Sequence, residues 1–329
     1  MTNWILDTDI GWDPDDVIAL LLFLNYIKKN PKHNLAIVSS DETLNGNRAK
    51  IIKYIVKNLI PNHNNILVCK GFNSVNNHVN ISKKLLCYQN ELVNTIDDLV
   101  NYIQTKKNIC WIGIGSMTNL AYILSIQSAK ENINRIIQMA GCINNNIEYN
   151  VNLDRKACKY VLDNFNKPEK LELISLDTTG YKLLWLNDGY NKLNEKIDSN
   201  IYKYLSGYPV ILEVLSKNVT TDISQVGYSS KSALHDPLTI LYAIDNTIID
   251  THYARIDYDC YNWQCRLNRT LINIINNGID NEFYNYWWKN GVNEEVKSEP
   301  ISKNFNCKIS VGPLTDYQKK NFIQKLLSI

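Results

Sequence analysis

The stretch "WILDTDIGWDPDDVIALLL", residues 4–22, decides the fold. An apolar run opens it, a helix-like apolar run closes it, and between them five carboxylates fall within ten positions: Asp7, Asp9, Asp13, Asp15 and Asp16. "WILDTD" reads as a strand, and Pro14 sits where a helix first turn accepts proline. Acids between a strand and the next helix lie on the carboxyl rim of a parallel sheet, where open α/β folds bind ligands. Asp13 suits a helix N-cap, and Asp15 and Asp16 suit the positive end of the helix dipole. Capping uses one or two acids, whereas five so close repel one another unless a cation lies among them. Gly11 allows a sharp turn between the two acid sets. Oxygen donors of this kind suit Ca²⁺ or Mg²⁺, and the stretch offers no thiolate or imidazole pair for zinc.

Working outward, strands alternate with helices. "NLAIVSS", "NNILVCK", "NICWIGIG", "RIIQMAG" and "LELISLDT" read as short buried strands. Between them come helical segments: "TLNGNRAKIIKYIVKNL", "SKKLLCYQNELVNTIDDLVNYIQTK", "TNLAYILSIQSAK" and "DRKACKYVLDNF". This is the pattern of βαβ units and predicts an α/β fold with an open, mainly parallel (mixed) sheet flanked by helices. Beyond residue 180 the pattern loosens into helices, with "HDPLTILYAI" the clearest. Then come strand-like "YARIDYDC" and "CRLNRTLINII" and an amphipathic "DYQKKNFIQKLL". No linker, repeat or low-complexity block interrupts the chain, so one domain over 1–329 is expected.

With 35 basic and 33 acidic residues among 329, the balance asks for neither nucleic acid nor an anionic membrane as partner. No segment reaches eighteen uncharged apolar residues, and the N-terminus has no basic start before an apolar stretch. A soluble, cytoplasmic protein is expected. The eight cysteines lie scattered, several in apolar runs, without a CxxC pair, and read as buried free thiols.

A second stretch, "SALHDPLTILYAID" at 232–245, places His235 and Asp236 at another helix N-terminus, just before Pro237. Together, "DTDIGWDPDDVIAL" and "ALHDPLTILYAI" resemble the inosine-uridine nucleoside hydrolase family, whose N-terminal DxDxGxDD-type cluster often takes the longer DxDD form seen here. Three more stretches match in order. "IGIGSMTNLAYIL" is similar to the family's GPLTNLA segment, "IIQMAGCI" to its IVxMGG strand, and "EYNVNLDRKAC" to its EFNxxxDPEAA segment. The motifs span about residues 4–245, and 246–329 carries no matching motif.

The resemblance implies a nucleoside-hydrolase-like, Rossmann-type architecture and hydrolysis of the N-glycosidic bond of a ribonucleoside to ribose and free base, with Ca²⁺ in the site. It implies Asp9, Asp16, Asp236 and the backbone carbonyl of Ile114 as metal ligands. Asp15 would hold ribose hydroxyls, Glu148 and Asn150 would grip the far side of the sugar, and His235 would face the base. A dimer or tetramer of identical chains is implied as well. The chemistry itself wants such parts. Leaving of the base builds oxocarbenium character on the ribose, which surrounding carboxylates stabilise. Asp9 is the natural general base for water and His235 the best-placed proton donor, with Tyr228 in "VGYSSKS" next in line.

Departures from the family pattern are expected to matter. Asp13 is an extra acid whose role is capping or open. Asp41 falls where many members carry an Asn that contacts ribose. The mobile loop that carries HGxxGLG in many members has no counterpart, "GFNSVNNHVNISKK" holding only His78. Both of the latter affect sugar or base contacts, so a nucleoside- or Ca²⁺-binding homologue with weakened catalysis is the main alternative. A haloacid-dehalogenase-type phosphatase, which also opens with an apolar strand and DxD, leaves the HDP and EYN stretches unexplained.

Overall fold

The computed structural model describes residues 2–11, 13–42, 45–60, 65–75, 83–88, 90–143, 147–179, 185–186, 203–218, 232–267 and 305–311, with 318, 320–322 and 324–325. Strand β1 (Asn3–Thr8) takes a central place because it is apolar toward both faces. Trp4 and Leu6 enter one core while Ile5 enters the other. It pairs in parallel with β2 (Asn34–Ser39) on one side and β4 (Ile109–Gly113) on the other. β3 (Leu67–Lys70) extends the sheet beyond β2, and β5 (Ile133–Met139) and β6 (Leu171–Ile174) extend it beyond β4, all in parallel. The strand order therefore reverses at β1, and the reversal leaves a crevice at the carboxyl ends of β1 and β4.

A two-stranded antiparallel pair, β7 (Trp185–Leu186) with β8 (Ser232–Ala233), stands apart from the main sheet. The part of the chain without family motifs joins the main sheet. β9 (Thr251–Tyr258) and β10 (Trp263–Arg266) form an antiparallel hairpin, and β11 (Cys307–Ser310) lies antiparallel to β9 and parallel to β6. Among the described residues this makes nine strands in one mixed sheet.

Helix α1 (Pro14–Lys29) is apolar nearly all round because it is covered twice, by the sheet and by a second helix described below. The helix α2 (Asn47–Leu59) starts after Gly46, whose φ of 68° a side chain would resist. The segment 82–106, expected as one helix, is divided into a short 3-10 turn (Lys83–Tyr88) and α3 (Ile96–Thr105). The division lies where Thr95 and Asp98 form a reciprocal capping box and Asn94 bridges to Cys69. Likewise "TNLAYILSIQSAK" breaks at extended Ile126 into α4 (Thr118–Ser125) and α5 (Gln127–Lys130). α6 (Tyr149–Leu153), α7 (Arg155–Asn164), α8 (Leu176–Thr179), α9 (Pro209–Asn218) and α10 (His235–Ile244) follow, and α10 is the helix that covers α1. All eight thiols are free and six are buried, as their apolar settings predict. Among the described residues no helix is long and apolar enough to cross a membrane.

Candidate active site

The acids of the opening stretch are placed by the ends of β1 and α1. Asp13 caps α1, its carboxylate accepting from the Asp15 N–H, so the extra acid has a structural role. Asp15 and Asp16 occupy the first turn and are buried. Asp236 sits in the first turn of α10, and its N–H donates to Asp15 Oδ2 at 3.2 Å, so the two distant motifs meet. Asp15, Asp16 and Asp236 each offer an oxygen within 4.8 Å of the others. Oxygens on opposite sides of one Ca²⁺ lie about 5 Å apart, so three buried carboxylates at this spacing fit a hard divalent cation.

Asp9 lies half-buried beside them, close enough for its charge to act on Asp16 and Asp236. Gly115 allows this placement, since a Cβ there would come within 2.9 Å of Asp9 Oδ1. Burial pushes the Asp9 carboxyl up to about 6, against the pull of Arg48. It pushes Asp15, Asp16 and Asp236 well above the ordinary range, and mutual repulsion adds to the effect. Carboxylates that hold protons for want of a counter-charge are what a divalent cation would discharge.

Three neighbours of this cluster were not legible as site residues. Thr8 Oγ1 donates to Asp16 Oδ1 at 2.5 Å and fixes that carboxylate. Asn119 Nδ2 donates to Asp7 Oδ1 and to the Ser39 carbonyl, both at 3.1 Å, so Asp7 faces the protein and not the crevice. Arg48, buried in the first turn of α2, pairs with Asp41 at 3.0 Å. Asp41 itself is in the left-handed region at φ 47°.

On the far wall, Glu148 caps α6, its carboxylate accepting from the N–H groups of Asn150 (2.8 Å), Val151 (3.2 Å) and Gly141 (3.3 Å). Burial, with the charge of Asp9 as a smaller contribution, raises Glu148 to about 7 despite those bonds. Asn150 Nδ2 donates to the Ile114 carbonyl at 3.2 Å and the Met139 carbonyl at 3.1 Å. Ile114 is itself held by its N–H to the Asp7 carbonyl at 2.8 Å. Glu148, Asn150 and Ile114 are thus bound into one wall.

His235 opens α10, with Nδ1 2.8 Å from Thr179 Oγ1 at the end of α8, so its Nε2 edge is the one left for a ligand. Burial lowers its pKa to about 4, leaving the ring neutral near pH 7. Tyr228 and His78 lie outside the described residues.

Sequence and structure comparisons bear on the family and the fold. The family described as inosine-uridine preferring nucleoside hydrolase matches residues 4–296. A probable ribonucleoside hydrolase from Dictyostelium discoideum is 25% identical over 179 residues, which are 52% of this chain and 50% of that protein. The match thus spans about half the length of that curated relative. A solved purine-preferring ribonucleoside hydrolase from Gardnerella vaginalis is similar at TM-score 0.59 and 17% identity, over 99% of this chain and 98% of its own. The type III effector protein XopQ, solved in complex with adenosine diphosphate ribose, is similar at TM-score 0.63 and 12% identity, over 99% and 93%. At these identities the two solved structures bear on the fold.

Proposed function

Because this chain belongs to the inosine-uridine preferring nucleoside hydrolase family, we propose that it hydrolyses the N-glycosidic bond of ribonucleosides to ribose and free base, in a Ca²⁺-dependent manner. The observation that carries this reading is the convergence of Asp15 and Asp16 with Asp236, which come from two family motifs 220 positions apart (236 − 16). Family membership also removes the reason for the phosphatase alternative.

Asp9, Asp16, Asp236 and the Ile114 carbonyl are the proposed metal ligands, with Asp15 directed to ribose hydroxyls. The 4.8 Å spacing of Asp15 with Asp16 and Asp236 leaves Asp15 near enough to share the ion. When bound, Ca²⁺ supplies a charge that acidifies water and polarises ribose hydroxyls. Asp9, left unprotonated by a neighbouring cation, would take the water's proton as general base. As the C–N bond breaks, positive charge grows on the sugar, and Asp9, Asp15 and Glu148 stabilise it from around the ring. Asp41, Glu148 and Asn150 complete the proposed sugar contacts. A carboxylate accepts up to about four hydrogen bonds, so Glu148 with three internal ones retains one for a hydroxyl. His235, neutral in the free site, takes up a proton from solvent as negative charge grows on the departing base beside it, and passes one proton from Nε2 to that base, returning to the neutral imidazole.

The fold is read as one domain over 1–329, supported by the pairing of β11 with β6. A cytoplasmic location and a dimer or tetramer complete the reading. A second reading, a homologue that binds nucleosides or nucleoside derivatives with little turnover, is favoured by the internal commitments of Glu148 and Asn150. One assay separates the two: release of reducing sugar from a panel of ribonucleosides, with and without chelator, alongside calorimetric binding of the same compounds and of adenosine diphosphate ribose. Chelator-sensitive sugar release supports hydrolysis, and saturable binding without release supports the second reading.

A further inference from the structure

Arg48 is a buried cation that donates to backbone carbonyls as well as to a carboxylate. Its Nε donates to the Asp41 carbonyl at 2.8 Å and its Nη2 to Asp41 Oδ2 at 3.0 Å. Its Nη1 donates to the carbonyls of Asp9 and Ile10, the latter at 2.8 Å. Those two residues lead directly into Gly11, whose φ of 126° marks the sharp turn between the acid sets. Arg48 is itself fixed from behind. Its N–H and that of Ala49 donate to Glu42, at 3.1 Å and 2.8 Å, and Glu42 also accepts from Ser39 Oγ at 2.5 Å.

A planar guanidinium with five N–H groups in a fixed fork can serve all these acceptors at once, which an ammonium cannot. A surface ion pair would leave the Asp9 turn to find its own geometry; this buried one ties β1's exit to the loop after β2.

We propose that Arg48 is a positioning residue, clamping the Asp9–Ile10 backbone against Asp41 so that the Asp9 carboxylate is held in one fixed place beside the Asp15–Asp16–Asp236 group. It acts through Asp9, and its catalytic consequence rests on the function proposed above, while the clamp itself does not.

The test uses the full chain as Arg48→Met, Arg48→Lys and Asp41→Asn. It has three readouts: exchange of the Ile10 and Gly11 amides in chelator, Ca²⁺ titration by calorimetry, and kcat with KM on ribonucleosides. Arg48→Met should speed exchange at that turn, weaken Ca²⁺ by roughly ten- to a hundredfold and lower kcat more than it changes KM. Arg48→Lys should fall between, and Asp41→Asn should loosen the turn less than Arg48→Met. If Arg48→Met does not fold, Arg48→Lys and Asp41→Asn should each still speed exchange of the Ile10 and Gly11 amides relative to wild type, and wild-type exchange in both overturns the clamp. A folded Arg48→Met with wild-type exchange, Ca²⁺ affinity and kcat overturns the clamp. Wild-type protein without nucleoside turnover would overturn the proposed function instead, and the clamp would stand or fall on amide exchange.

Discussion

The backbone N–H of Asp236 reaches the side chain of Asp15 across 3.2 Å, a hydrogen bond that spans 221 positions of sequence. It brings the N-termini of α1 and α10 face to face. Both helix dipoles then point their positive ends at the same carboxylates, which partly offsets the repulsion among them. The remainder of that repulsion, with the cost of burial, is what a cation would relieve.

Asp236→Asn should therefore change sign with conditions. In chelator the variant should be as stable as the wild type or more so, because an amide sits buried among the other carboxyls without having to hold a proton. With Ca²⁺ the wild type should gain melting temperature and the variant should gain little, since ligand stabilisation follows affinity. Thermal melts with and without Ca²⁺ check this; an equal Ca²⁺ response in both proteins would remove Asp236 from the ligand set.

The pH dependence follows from the raised carboxyls. Asp9 at about 6 and Glu148 at about 7 hold protons in the folded state that the unfolded chain releases near pH 4. The folded state binds more protons over this window, so stability falls as pH rises. In chelator, the contribution of these groups should be full below about pH 4 and lost as pH climbs through about 6 to 7, on the order of 3 kcal/mol for each at about 1.4 per pKa unit. Ca²⁺ competes with those protons, so its stabilising effect should grow over the same range. Denaturant titrations from acid to neutral pH provide the measurement, and metal-free stability that rises toward neutrality would contradict the assignment.

Gly141 supports the far wall. It lies at φ 79°, and a Cβ there would come within 2.6 Å of the Trp263 ring, which itself donates to the Cys142 carbonyl at 2.7 Å. Gly141→Ala should cost about 1–2 kcal/mol for the backbone conformation alone, with the clash adding to it. It should also lower activity in the surviving folded protein, because the Gly141 N–H holds Glu148. Unchanged stability would mean that the β10 hairpin yields easily at this point.

What the sequence made legible here is local or motif-borne. Asp15 and Asp16 announce themselves by crowding, Asp13 by its cap position, and the parallel strands by uninterrupted apolar runs. Arg48 does not stand out, because in "NRAKIIKYIVKNL" a basic residue reads as the solvated face of an amphipathic helix. Only the approach of β1's exit to α2 shows that it is buried. Thr8 and Thr179 are hydroxyls whose partners lie on other elements. The breaks at Asn94 and Ile126 replace expected continuous helices because a capping box and an extended isoleucine override helical periodicity. The pairing of β11 between β6 and β9 is long-range and leaves no local mark.

Substrates should depend on the ribose more than on the base. Asp15, Asp41, Glu148 and Asn150 are assigned to the sugar, so transition-state stabilisation draws mainly on its hydroxyls. The 2′-deoxyribonucleosides should have far lower kcat/KM than ribonucleosides. Equal values would overturn the assignment of Asp15, Glu148 and Asn150 to the ribose hydroxyls.

His235 carries the last test, because leaving-group protonation can be separated from everything else at the site. His235→Ala should slow ordinary ribonucleosides by on the order of a hundredfold or more, yet hardly affect a p-nitrophenyl riboside, whose leaving group needs no proton. Asp236→Ala should harm both substrates alike, since it weakens the metal that serves water and sugar together. Thr179→Val adds a finer probe: it keeps the imidazole but removes its 2.8 Å partner at Nδ1. If that contact orients the ring, the variant should show the same substrate bias as His235→Ala at smaller amplitude, with Thr179→Ser near wild type. Calcium content and thermal melts establish that the His235 and Thr179 variants are folded and loaded. Should His235→Ala lose both activities in equal proportion while folded and loaded, the imidazole shapes the pocket without donating a proton, and Tyr228 becomes the next acid to replace.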